Sequence, residues 1–119
     1  MRDFRKLEIW KEAVDFAKKV YQMTASFPGH EKFGLCSQMN RAVVSISSNI
    51  AEGCSRRTNT EFSRFLDIAL GSSFELETQI EISWQVSYLK KEDYESAIWE
   101  LHSLQKRINA YREKLKEVG

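Results

Sequence analysis

Proline is almost missing from this 119-residue chain: Pro28 is the only one, and glycine occurs five times. So few breakers imply few, long elements, which in this sequence read as helices. Uninterrupted apolar runs are only a few residues long, so no segment reads as a membrane span. The basic start Met1-Arg2-Asp3-Phe4-Arg5-Lys6 is not followed by an apolar signal core, and the expected location is the cytoplasm. Charge of one sign is also lacking. A net charge of +1 gives no global electrostatic case for binding nucleic acid or an anionic membrane.

Residues that carry chemistry are equally scarce. There are two histidines, His30 in a predicted turn and His102 on a helix flank, and no CxxC or HxxxH spacing that would hold a metal. Glu75, Glu77 and Glu81 could be imagined as a di-metal site, but such bundle sites need an ExxH pair from two helices, and none occurs. Ser45, Ser47 and Ser48 have neither a companion histidine nor nucleophile-elbow glycines, and no glycine-rich phosphate loop appears. The expectation is a non-enzyme with no catalytic residue, no metal and no cofactor. The two cysteines, Cys36 and Cys54, fall in one predicted helix. Eighteen residues of rise separate them by about 27 Å, far beyond disulfide reach, so both read as reduced small hydrophobes.

What is there is helical periodicity. A chain of this length buries roughly 65% of its unfolded surface, enough for one core, so residues 1–119 are expected to form a single four-helix-bundle domain. The first helix is predicted from Phe4 to Phe27, with Trp10, Ala13, Val14, Ala17, Val20, Tyr21 and Thr24 as its apolar stripe. Phe27-Pro28-Gly29 ends it. The second runs from Glu31 to Ser55 on Leu35, Met39, Ala42, Ile46, Ile50 and Gly53. The third opens on the capping box Thr58-Asn59-Thr60-Glu61 and runs to Leu89 on Phe62, Phe65, Leu66, Ala69, Ser73, Leu76, Ile80 and Trp84. The fourth runs from Glu92 to Glu117 on Tyr94, Ala97, Leu101, Leu104, Ile108, Tyr111 and Leu115, with acids in its first turn and lysines in its last. Short breaks make neighbours antiparallel, so the expected fold is an all-α, up-down-up-down four-helix bundle.

Some large apolar residues lie off these stripes. Ile68, Ile82 and Val86, with Gly71 and Leu89 close by, share a face of the third helix roughly opposite its core stripe. Trp99 and Val44 point away from the cores of their own helices. Several such residues on one face mark an interface, so homo-oligomerisation through Ile68, Gly71, Ile82 and Val86 is expected.

A polar stripe, Arg41, Ser45, Ser48, Glu52 and Arg56, runs along the second helix. Within Ser48-Asn49-Ile50-Ala51-Glu52-Gly53, Asn49 borders the apolar stripe and needs hydrogen-bond partners. Glu52 sits where the helix dipole disfavours it and should find a cation in Arg56 or Arg41. These residues read either as a packing network at the turn or as a binding surface. Charge is also uneven along the chain. Residues 58–89 hold one arginine and five acids, net −4, whereas residues 106–117 hold five basic and two acidic residues, net +3. Lys106, Arg107 and Arg112, with Arg56 and Arg57, could contact phosphates if several copies met in a ring.

The run from Leu35 to Ala42, then Val44-Ser45-Ile46-Ser47-Ser48-Asn49-Ile50-Ala51-Glu52-Gly53, then Glu61-Phe62 through Phe65-Leu66-Asp67-Ile68-Ala69-Leu70-Gly71-Ser72, resembles the four-helix-bundle proteins named for 23S rRNA intervening sequences. Leu7-Glu8-Ile9-Trp10 and the Phe27-Pro28 break resemble that family's opening, so the likeness covers essentially the whole chain. The resemblance implies a short bacterial protein of no established biochemical role, related to the accessory variability determinant proteins of diversity-generating retroelements. It implies a homopentameric ring, with RNA, DNA or a reverse transcriptase as a partner in the alternative reading. By position it marks Ser48, Asn49, Glu52, Gly53, Arg56, Glu61, Phe62, Phe65, Gly71 and Glu77 as motif residues. At Ser47 and Asn40 the chain departs from the pattern, where family members often carry Pro and Arg. Two functions follow as expectations: an oligomeric scaffold or interaction protein, and a nucleic-acid-binding accessory protein.

Overall fold

A computed structural model describes residues 2–118. It contains the four helices the periodicity predicts: α1 Glu8–Thr24, α2 Leu35–Cys54, α3 Asn59–Gln85 and α4 Lys91–Val118, preceded and interleaved by 3-10 turns at Phe4–Lys6 and Gly29–Glu31. Each helix packs on the two that neighbour it in the cycle α1–α2–α3–α4–α1, and among the described residues the backbones of diagonal helices do not come within 8 Å of each other. That is an up-down-up-down bundle with a long dimension of 46 Å. Its core is the apolar face of every helix, with Phe62, Met39, Ile46, Ile50, Leu66, Leu76, Ile80, Leu101 and Ile108 fully buried.

Local chemistry sets the helix ends. Thr58 caps α3 as its sequence signature requires, its Oγ1 accepting the Glu61 N–H at 3.1 Å. The Glu61 carboxylate takes the Thr58 hydroxyl rather than reaching the Thr58 backbone. α2 begins four residues later than expected, because Gly34 leaves helical geometry and the Glu31 carboxylate folds back to accept the Leu35 N–H at 3.2 Å. α1 starts later too: Asp3 caps a separate 3-10 turn, and Leu7 is extended before the helix begins. It also stops at Thr24, where the Ser26 hydroxyl donates to the Met23 carbonyl and Phe27 turns into the core.

The core face of α1 is a correction. Ile9, Ala13, Phe16, Val20, Met23 and Thr24 point inward, whereas Trp10, Val14 and Ala17 are half-buried and Tyr21 is exposed. α1 is apolar over an arc wider than one bundle position covers, and the stripe with the larger Ile9 and Phe16 side chains takes the core. The α1–α4 seam is then held from its rim. Lys19 Nζ reaches Glu100 at 2.9 Å and the Ser96 hydroxyl at 2.6 Å, and Arg107 pairs with Glu12.

α3 ends at Gln85 rather than at Leu89. The chain reverses through a Schellman arrangement: the Ser87 N–H donates to the Trp84 carbonyl at 3.0 Å and the Tyr88 N–H to the Ser83 carbonyl at 2.8 Å. Ser87 occupies the left-handed position, φ 68°, that this cap normally gives to glycine. Leu89 then drops into the core rather than lining the outer face of α3. Ser87→Gly is accordingly expected to raise stability by about 0.5–1 kcal/mol, the relief of left-handed strain less the entropy a glycine adds to the unfolded chain. Urea melts of the two proteins read this directly.

Candidate functional site

Three surfaces bear on function, and the α2–α3 seam carries most of the sequence motif. Gly53 lets the two helices approach closely, since a Cβ there would stand 2.7 Å from Phe65 Cβ and 2.8 Å from Phe62 Cδ1. One turn earlier, Asn49 Nδ2 donates to the Ser45 carbonyl at 2.8 Å and to Ser45 Oγ at 3.0 Å. Ser45 Oγ bonds Ser72 Oγ on α3 at 2.7 Å. The Asn49 partners are therefore Ser45 and, through it, Ser72, a residue that spacing within α2 could not reveal.

The expected Glu52 ion pair is not formed. Glu52 is exposed and has no cation within ion-pair reach among the described residues; Arg56 instead lays its guanidinium over the Phe65 ring, 4.6 Å from the centroid. A surface carboxylate is well solvated, whereas the planar guanidinium gains by stacking on an aromatic face. Arg41 is exposed and lines a polar groove with Gln38, Ser45, Ser72 and Glu75, and Ser48 faces solvent.

The outer face of α3 is the second surface. Ile68 is 51% exposed, Ile82 46% and Val86 50%, and Phe74, which the sequence did not single out, is 57% exposed. Gly71 lies among them with no atom within 4 Å of where its Cβ would be. Trp99 on α4 is exposed at 73%, over a groove between α1 and α4. Glu75 is exposed, seven residues from both Ile68 and Ile82 and so on their face, and pairs with no cation among the described residues. The neighbouring carboxylates behave differently. Burial would raise the Glu77 carboxyl, but hydrogen bonds from His102 and Gln105, each 3.0 Å, outweigh it and hold that carboxyl below its ordinary value. The Tyr94 hydroxyl lowers Glu81 in the same way, helped by Gln85. Glu77 and Glu81 thus tie α3 to α4, and only Glu75 is left pointing outward.

The basic residues form the third surface. Arg56 and Arg57, from the α2–α3 turn, and the C-terminal part of α4 come to one end of the bundle, where Arg57 and Lys116 line one groove with Thr58, Asn59 and Ser63. Arg107 is taken by Glu12, and Arg112 by Asp67 and Glu113. Lys106 is exposed. Two of the five cations expected to meet phosphate are therefore committed to carboxylates of their own chain.

Both cysteines are buried and unbridged, and burial pushes both thiols up from their ordinary value. Among the described residues no three His, Cys, Asp or Glu side chains are placed to hold a metal ion, and no helix is long and apolar enough to cross a membrane.

The sequence profile of the 23S rRNA-intervening sequence protein family matches residues 5–110. Among solved structures, the chain is similar to a protein of unknown function from the S23 ribosomal protein family of Bacteroides thetaiotaomicron. The two are 24% identical, with 88% of this chain and 95% of that chain covered and a TM-score of 0.82. That likeness bears on the fold alone. A comparison with curated proteins finds no match.

Proposed function

The chain belongs to the 23S rRNA-intervening sequence protein family, and we propose that it acts as a self-associating helical scaffold rather than as a catalyst. The observation that carries this reading is the outer face of α3. Ile68, Ile82 and Val86 lie along one exposed side of a 27-residue helix whose opposite side is already buried in the bundle, with Phe74 exposed on the flank toward α4. Single exposed hydrophobics are ordinary, but a row of them along one helix marks a surface that another chain covers. The ring of five copies that the family resemblance implies is the state this reading expects. Nucleic-acid binding is less favoured, since Arg107 and Arg112 have internal partners.

Native mass spectrometry at low micromolar concentration tests it. The wild-type protein is expected at five times the 13.9 kDa chain mass. Ile82→Arg is expected at the monomer mass with unchanged helical circular dichroism, because the position is exposed in the isolated chain. A wild-type monomer would overturn self-association.

A further inference from the structure

α3 and α4 leave an open groove along their seam. One wall is Phe74, Thr78 and Ile82, which follow one another at intervals of one turn on α3; the other is Tyr94, Ile98 and His102, at the same interval on α4. Each wall runs over two turns, about 12 Å of helix. Phe74 and Ile82 are exposed and Ile98 is half-buried, so the walls offer apolar surface to solvent.

The floor is charged. Glu77 and Glu81 stand one turn apart between the walls. Against burial, the hydrogen bonds from His102 and Gln105 keep Glu77 ionised, and those from Tyr94 and Gln85 do the same for Glu81. Each carboxylate accepts two such bonds and has lone pairs to spare. Among the described residues no lysine or arginine lines the groove. The cations around it are engaged or set apart. Lys91 pairs with Glu95 at 3.8 Å, Arg112 pairs with Asp67 further along the seam, and Lys106, one turn beyond His102, lies outside the lining.

An apolar groove with two uncompensated carboxylates on its floor selects its occupant by charge. We infer that it is a docking site for a basic amphipathic helix of another protein. A helix is the shape that fits, since the groove between two packed helices receives the side-chain ridge of a third. Its chemistry follows from the floor. Lysines or arginines one turn apart meet Glu77 and Glu81, while the apolar residues beside them cover Phe74, Ile82 and Ile98. The same carboxylates repel a phosphate backbone and an anionic bilayer. A second copy is poorly equipped for the site, because the basic end of its α4 has Arg107, Arg112 and Lys116 committed to its own carboxylates. The docking site does not rest on self-association, and it shares only Ile82 with the row on the outer face of α3.

A fluorescein-labelled leucine–lysine amphipathic peptide of about fifteen residues is the probe, with a leucine–glutamate peptide of the same pattern as control. Fluorescence anisotropy is expected to show binding of the basic peptide alone, weakening as salt rises. Thr78→Lys places a cation on an exposed wall position, leaves both carboxylates in place, and is expected to weaken binding about tenfold or more. Phe74→Ala removes exposed apolar surface and is expected to weaken it as well. Ala110→Lys, exposed and outside the groove, adds the same charge and is expected to bind like wild type. Helical circular dichroism is expected unchanged in all three, since each position is exposed. No binding by wild type, or no greater loss in Thr78→Lys than in Ala110→Lys, would overturn the docking site. Binding that appears only after Ile68→Arg breaks assembly would assign the groove to a second copy and overturn it too. A wild type that is monomeric by mass yet binds the basic peptide would overturn self-association and leave the docking site standing.

Discussion

Gly53→Ala is expected to destabilise the protein by about 1–3 kcal/mol, the usual range for forcing atoms into a filled interface. The direction is opposite to what helix propensity dictates, since alanine is the better helix former by about 1 kcal/mol. Close approach is the reason. The new methyl would lie 2.7 Å from Phe65 Cβ and 2.8 Å from Phe62 Cδ1. A ring carbon can move by a small χ rotation, but a Cβ is fixed to its backbone, so α3 must shift away from α2. That shift loosens the Ser45–Ser72 bond two turns away, which at 2.7 Å has little slack. Gly71 supplies the contrast, because nothing lies within 4 Å of its missing Cβ. Gly71→Ala should therefore follow propensity and gain up to about 1 kcal/mol. Both are measured by urea denaturation in the Ile82→Arg background, so that only the stability of the chain itself is read. Equal signs for the two substitutions would mean that the α2–α3 approach does not set the demand for glycine.

The features legible in the sequence were those that depend on one helix at a time. The Thr58 cap, the core stripes of α2 and α4, that of α3 except for the half-buried Phe65 and Trp84, and the exposure of Ile68, Ile82, Val86 and Trp99 all follow from spacing along a single element. Features that depend on two helices were not legible. Which of two apolar arcs on α1 faces inward is decided by how Ile9 and Phe16 fit against the other helices, and spacing alone puts the arc through Trp10 and Tyr21 in the stripe. The Asn49 network needed Ser72, which the α2–α3 register brings to Ser45. Arg107 and Arg112 read as free cations until the bundle set Glu12 and Asp67 beside them. The end of α3 was hidden for another reason: Ser87 does a task for which glycine is the usual signal.

Phe62→Ala is expected to have the largest effect of any single substitution, about 3–5 kcal/mol and a fall in Tm of roughly 10–20 °C. Phe62 is fully buried where four parts of the chain converge. Its ring packs at 5.6 Å from Tyr111 of α4 and lies against Gly53 of α2. It also carries the Arg2 guanidinium 5.0 Å above its face. Arg2 in turn bonds Asn59 at 2.6 Å, and Asn59 bonds the Leu115 carbonyl at 3.3 Å, so the ring underlies the tie between the N-terminal segment and the far end of α4. Removing it leaves a cavity and takes away the aromatic surface under a cation, two losses that Phe62→Leu separates. Leucine refills most of the volume but offers no ring face, and should cost about 1–2 kcal/mol. Combined with Gly53→Ala, the alanine at position 62 should be non-additive by about 0.5–3 kcal/mol. The cavity accepts the Gly53 methyl on the Phe62 side, while Phe65 Cβ still blocks it on the other, so the rescue must be partial. Full additivity would place the whole obstruction at Phe65, and would mean that the α2 and α3 backbones, rather than the Phe62 ring, fix how closely these two helices can pack.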